Sequence, residues 1–114
     1  MENAIKFSVL LELYGGLLTE KQYELLDDYY NQDLGLSEIA ENLGITRQAV
    51  RDNLKKGENN LVQFDEKLGL LEKTQTQKQK LDKICDEMEE LKKNLDNEQK
   101  DKLTKIMQKL KEFN

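Results

Sequence analysis

Apolar positions along the chain return at steps of three and four, and the breaks between runs fall on glycines and polar clusters. Ile5, Val9, Leu10, Leu13, Tyr14 and Leu17 lie on one side of a first helix, widened by Phe7, Leu11 and Leu18. Gly15-Gly16 ends it. Thr19-Glu20-Lys21-Gln22 then has the form of a capping box, with the Thr19 hydroxyl accepting from the third amide and Gln22 reaching back. A second helix is expected from Glu20 to about Tyr30, closing on Asn31-Gln32-Asp33. Three helix starts share a hydrophobic staple: Leu18 with Tyr23, Leu34 with Ile39, and Ile45 with Val50.

The segment from Gly35 to Leu54 reads as a short helix over 36–43, a tight turn at Gly44, and a second helix capped by Thr46. Ala40 supplies the small residue where two helices cross closely. This is a helix-turn-helix pattern. Its apolar set is Ile39, Leu43, Ile45, Val50 and Leu54, which leaves Arg47, Gln48, Arg51, Asp52 and Lys55 facing outward. The seam continues through Leu61, Phe64, Leu68 and Leu71, so the last helix of a domain spanning 1–72 is expected to reach about Glu72, weakened at Gly57-Glu58-Asn59-Asn60, where a break is the alternative. Residues 74–80 contain no apolar side chain and form either a linker or a solvated helix, within a boundary segment 73–80. A C-terminal helical segment, 81–114, carries a seam at Leu81, Ile84, Met88, Leu91 and Leu95 and another at Leu103, Ile106, Leu110 and Phe113. Asp96 and Gln99 between them form a second capping box. A helical hairpin or one kinked helix satisfies this pattern. The fold class is all-α, a helix-turn-helix domain with a C-terminal helical extension or hairpin.

Composition supports that class and narrows the chemistry. Proline is absent from all 114 residues, and charged residues make up 36% against 37% hydrophobic, so the core is small and the surface large. Histidine is absent too, which removes the usual neutral-pH acid/base and the commonest metal ligand. Cys85 is the single cysteine; it suits a reducing cytoplasm and packing beside Ile84 and Met88 better than redox or ligand use. No phosphate loop, nucleophile motif or metal spacing is present. A non-enzyme without cofactor or metal is expected, with no membrane insertion.

The net charge of −5 argues against a general coat for nucleic acid, but the charge is uneven. Residues 1–45 hold Lys6 and Lys21 against nine acids, whereas Thr46–Lys56 hold Arg47, Arg51, Lys55 and Lys56 against Asp52 alone. Arg and Gln near the start of a helix in the major groove can make paired bonds to guanine and adenine edges, and later Lys residues reach phosphates. Arg47, Gln48 and Arg51 suit the first role, Lys55 and Lys56 the second. Thr46 and its neighbouring amides suit a phosphate at the helix start. Asp52 opposes this reading, and pairing with Lys55 or Lys56 would moderate it. Tyr29-Tyr30 is read as core and rim. The three-four seams lead to an expectation of homo-oligomerisation.

Residues 18–61, from Leu18-Thr19-Glu20-Lys21-Gln22 through Ser37-Glu38-Ile39-Ala40-Glu41-Asn42-Leu43-Gly44-Ile45-Thr46-Arg47-Gln48-Ala49-Val50-Arg51, resemble the region-4 domain of sigma factors, which reads promoter DNA with its second helix. The closer resemblance is to the YlxM family of small helix-turn-helix proteins. It is carried by Leu17-Leu18-Thr19-Glu20-Lys21-Gln22, Tyr29-Tyr30, Leu36-Ser37-Glu38-Ile39-Ala40-Glu41, Thr46 through Lys56, and Phe64-Asp65-Glu66-Lys67-Leu68. It covers about residues 5–72; the tail after Glu72 matches only in helical character. Arg51 stands where the family commonly has an aromatic, which strengthens the basic face, and Glu12 stands where an Asp is usual. The resemblance implies a regulatory role in the signal recognition particle pathway. The partner would be nucleic acid, either DNA or the particle's RNA, or else the targeting GTPase, with the chain as an adaptor.

Overall fold

The computed structural model describes residues 3–113. Six α-helices and one short 3-10 turn account for the regular structure among them: α1 (Asn3–Tyr14), the 3-10 turn (Gly15–Leu17), α2 (Glu20–Tyr30), α3 (Leu36–Leu43), α4 (Arg47–Leu68), α5 (Leu70–Lys92) and α6 (Asn97–Lys111). The chain is all-α. It divides into two compact units, the first running to Leu71 and the second from Glu72.

In the first unit, α4 is the element against which α1, α2 and α3 all pack. The core joins Leu10, Leu11 and Tyr14 of α1, Leu25 and Leu26 of α2, Ile39 and Ala40 of α3, and Val50, Leu54 and Leu61 of α4. Ile5 and Leu17, at the two ends of the expected α1 stripe, remain exposed. Gly57 is buried where α4 passes α2: a Cβ there would stand 2.7 Å from Cδ1 of Leu26, itself wholly buried. The helix runs unbroken through Gly57–Asn60, so the glycine serves a close helix crossing and does not interrupt α4.

Capping explains where these helices start and stop. The Thr19 hydroxyl accepts from the Gln22 amide at 3.2 Å, and the Thr46 hydroxyl accepts from the Ala49 amide at 3.0 Å. Gly35 offers no side chain, and its amide donates to Glu38 Oε1 at 3.4 Å. At the end of α3, Gly44 is left-handed with φ 67°, and the Ile45 amide reaches back to the Ala40 carbonyl at 3.0 Å, the six-to-one bond of a Schellman motif.

The long helix ends earlier than the expected Glu72. Gly69 adopts φ 65° after Leu68, so α4 stops there and α5 begins at Leu70. Asp65 and Tyr14 hold this junction. The Tyr14 hydroxyl donates to Asp65 Oδ1 at 2.7 Å and accepts from the Leu70 amide at 3.0 Å, while the Leu71 amide donates to the same Asp65 oxygen at 3.1 Å. Two of the amides that a helix start leaves without intrahelical partners are thereby satisfied. Burial and then the Asp65 hydrogen bond push the Tyr14 phenol above its ordinary value, outweighing the Leu70 amide.

In the second unit the polar run Thr74–Lys80 is helical and exposed within α5. Two helices form here, joined through residues 93–96, and Asp96 with Gln99 makes the reciprocal capping box at the start of α6, at 2.8 and 3.4 Å. The covered stripe only partly follows the expected seam. Leu81, Met88, Leu95, Leu103 and Leu110 of that seam are half-buried, but Ile84, Leu91, Ile106 and Phe113 are exposed, and Cys85 and Met107 are covered in place of their neighbours Ile84 and Ile106. Steps of three and of four fall on either side of the helical repeat of about 3.6, so both stripes satisfy the pattern.

Candidate nucleic-acid interface

The helix-turn-helix consists of α3, the turn Gly44–Ile45–Thr46, and α4. The left-handed Gly44 ends α3, and the Thr46 cap starts α4 two residues later, so the turn has little freedom. Val50 and Leu54 anchor one side of α4 in the core and leave Thr46, Arg47, Gln48, Arg51, Lys55 and Lys56 all exposed. The structure therefore brings the six residues to the accessible side of one helix turn after turn.

They do not form a single line. With about 100° per residue, Arg47, Arg51 and Lys55 make one row, and Gln48, Asp52 and Lys56 make the next. The second row lies most directly opposite the buried Val50, Leu54, Gly57 and Leu61. The acid therefore occupies the apex of the helix, and the denser positive row lies on its flank. Asp52 takes a different partner from the one expected. Gln48 Nε2 donates to Asp52 Oδ1 at 2.9 Å, and among the described residues the ion pairs are Lys93 with Glu90 and Lys102 with Glu98, neither of which includes a residue of α4. A Gln four residues before an acid reaches it readily along the helix. That bond engages one Nε2 hydrogen of Gln48 and leaves its second hydrogen and its Oε1 for a base edge.

The positive row borders α2. Arg51 and Lys55 line a recess of about 280 Å³ together with Tyr29, Tyr30, Leu36 and Glu58. Tyr30 is fixed: its ring stacks on Phe7 with centroids 5.6 Å apart, and its hydroxyl donates to Glu58 Oε1 at 2.5 Å. Burial, followed by Glu58, holds its phenol well above the ordinary tyrosine range. Tyr29 meets Tyr30 edge to face, with centroids 5.0 Å apart, and keeps 37% of its surface exposed. Sequence reasoning placed Tyr29 at the rim without its neighbours. More than twenty residues separate it from Arg51, and only the α2–α4 crossing brings them together.

On the opposite flank of α4, Asn53 borders a second recess, of about 600 Å³, with Leu25, Leu43 and Ile45 as its apolar wall and Glu24 and Asp28 on α2 as acids. Leu43 and Ile45 are 52% and 38% exposed. No group of three or more His, Cys, Asp or Glu side chains among the described residues is placed to hold a metal ion, and no described helix is long and apolar enough to cross a membrane.

A short helix, a glycine turn and a capped second helix with a basic exposed row define a helix-turn-helix protein. Comparison with known sequences gives the family: the profile described as "UPF0122: Putative helix-turn-helix protein, YlxM / p13 like" matches residues 1–112, and the chain belongs to that family. A UPF0122 protein of Clostridium kluyveri is 44% identical over 113 residues, covering 99% of this chain and 96% of the relative. Another from Acetivibrio thermocellus is 49% identical over 78 residues, covering 68% of this chain and 67% of the relative. One from Desulforamulus reducens is 48% identical over 73 residues, or 64% and 62% of the two chains.

Proposed function

We propose that the protein is a non-enzymatic regulator that binds nucleic acid through α4, using Arg47, Arg51, Lys55 and Lys56 on phosphates and base edges, Gln48 on a base edge, and Thr46 with the first helix amides on a phosphate. The observation that carries this reading is the exposed row of cations on the second helix of a helix-turn-helix in an otherwise acidic chain. Electrostatic attraction to phosphate supplies most of the affinity of such a surface, so a row of this kind has a use that an acidic surface lacks. On the resemblance to the YlxM family, the reading extends to a role in the signal recognition particle pathway, in the cytoplasm, with DNA or the particle's RNA as ligand. Fluorescence anisotropy with a DNA duplex and with the particle's RNA at low salt tests it. Binding that falls at least tenfold on combined Arg47→Ala and Arg51→Ala substitution supports the reading, and absence of binding to both ligands overturns it.

A second reading has its own support. The apolar recess at Leu25, Leu43 and Ile45, where Glu24 and Asp28 outnumber Lys21 on the lining, suits an apolar side chain carried on a basic protein segment. In this reading the chain is an adaptor that modulates the targeting GTPase without reading DNA. Capture of the GTPase from nuclease-treated material, lost on Ile45→Glu, supports the adaptor. Failure to retain the GTPase removes it.

A further inference from the structure

The recess between α2 and α4 combines three features that serve one kind of ligand. Arg51 and Lys55 present two cations one helical turn apart, and the Tyr29 ring stands beside them, partly exposed in a concave site. The Tyr29 ring is backed by an immobilised neighbour, because Tyr30 is held by Phe7 on one side and by Glu58 at its hydroxyl. Glu58, the acid of the recess, is engaged by that hydroxyl. An aromatic face next to a pair of phosphate-binding cations is the arrangement that holds a base out of its stack, since every base has a face to stack and a phosphate on either side.

The apex of α4 points to the same ligand. Entering a regular major groove would direct the Gln48–Asp52–Lys56 row at the bases, with the Asp52 carboxylate at its centre and the Gln48 amide already bonded to it. Lys56 is the one cation of that row, and Arg47, Arg51 and Lys55 lie on the flank, the last two beside Tyr29. In A-form RNA the major groove is too deep and narrow for side chains to read, which leaves loops and bulges as the readable parts.

We infer that the recess formed by Tyr29, Arg51 and Lys55 is a subsite for an unpaired nucleotide, its base stacked on the Tyr29 ring and its flanking phosphates on Arg51 and Lys55. The inference rests on the nucleic-acid reading of α4 and specifies the ligand: a strand with at least one unstacked base, in RNA or in DNA. Neither base identity nor sugar is specified by the side chains that line it.

The test uses the full chain at low salt with three probes: a fully paired DNA duplex, the same duplex with a one-nucleotide bulge, and an RNA hairpin with the same bulge. The bulged position carries the fluorescent base 2-aminopurine. Preference for either bulged probe over the paired duplex, quenching of the 2-aminopurine on binding, and a loss of about tenfold on Tyr29→Ala confined to the bulged probes are the expected results. Tyr29→Phe keeps the ring and is expected to keep both affinity and quenching, which separates stacking from any effect on folding. Preference for the RNA or for the DNA bulge identifies the source of the strand. Equal binding of paired and bulged probes, or binding indifferent to Tyr29→Ala, overturns the subsite while leaving the nucleic-acid reading intact. Absence of binding to all three probes overturns both.

Discussion

Gly57 lies where α4 packs on α2, and a methyl group there would press on the buried Leu26 side chain at 2.7 Å. Gly57→Ala gains up to about 1 kcal/mol of helix propensity but displaces a packed core residue, an overpacking cost of about 1–3 kcal/mol. A net loss is expected in urea unfolding, seen as a lower midpoint at unchanged slope. In a Leu26→Ala background the same substitution is expected to be neutral or stabilising, since the space it needs is then open. Asp52 gives a second prediction at this scale. Asp52→Asn removes the negative charge from the apex of α4, so nucleic-acid affinity should rise severalfold at low salt and the gain should shrink as salt is added. An unchanged affinity would show that Asp52 does not face the ligand. Tyr14 and Tyr30 give a third. Both phenols titrate higher in the folded chain than in the unfolded chain, where the ordinary value is about 10. The folded state therefore keeps protons that the unfolded state loses, and stability falls as pH rises above about 10. Tyr30→Phe should flatten that fall in urea midpoints measured at pH values of about 9 and about 11.

At the scale of elements, helix ends decide the architecture, and they were unevenly legible in the sequence. The Thr19, Thr46 and Asp96 caps, Gly44 in its turn and the α3–α4 pair all follow from local residue types, because a cap is a bond between neighbours three positions apart. Gly69 escaped the same reasoning. The apolar repeat runs through Leu68 and Leu71 without a phase break, and the stop depends on Tyr14 and Asp65, which only the fold brings together. Gly57 was legible as part of the seam but read as a weak point, since its value lies in Leu26 on another helix. The residues proposed to contact nucleic acid were legible as exposed positions on one helix. The Gln48–Asp52 bond and the approach of Tyr29 to Arg51 were not, the first because several partners for Asp52 are equally near in sequence, the second because it is tertiary. Two substitutions measure how much the ends contribute. Gly69→Ala forces a side chain into the left-handed region and should cost roughly 1–2 kcal/mol. Asp96→Ala removes the α6 cap, costing about 1 kcal/mol, with faster hydrogen exchange at the first amides of α6 and no change in the first unit.

At the scale of the whole molecule, charge separates along the chain. Residues 1–45 are strongly acidic, and Thr46–Lys56 are basic, so the modest net charge of −5 conceals a polarised chain. The acids of residues 1–45 repel nucleic acid from the helices that precede α4, which orients encounter toward the α4 cations instead of adding affinity everywhere. The same polarity offers the α2 acids and the Leu43–Ile45 wall to a basic protein partner, so the two proposed activities use opposite flanks of one helix. The expected homo-oligomer draws its motive from the apolar residues that stay exposed, among them Ile84, Leu91, Ile106 and Phe113, the last at 82%. Sedimentation at micromolar concentration tests it, and a monomer would remove it. The central claim is that the α4 cations meet phosphates, and the salt dependence of binding measures this most directly. The logarithm of the association constant should fall linearly with the logarithm of salt concentration. Replacing Arg47 and Arg51 with alanine should reduce the magnitude of that slope by about 1 for each phosphate that is no longer neutralised, while the fold, read by circular dichroism, stays intact. A slope unchanged by both substitutions would contradict the claim.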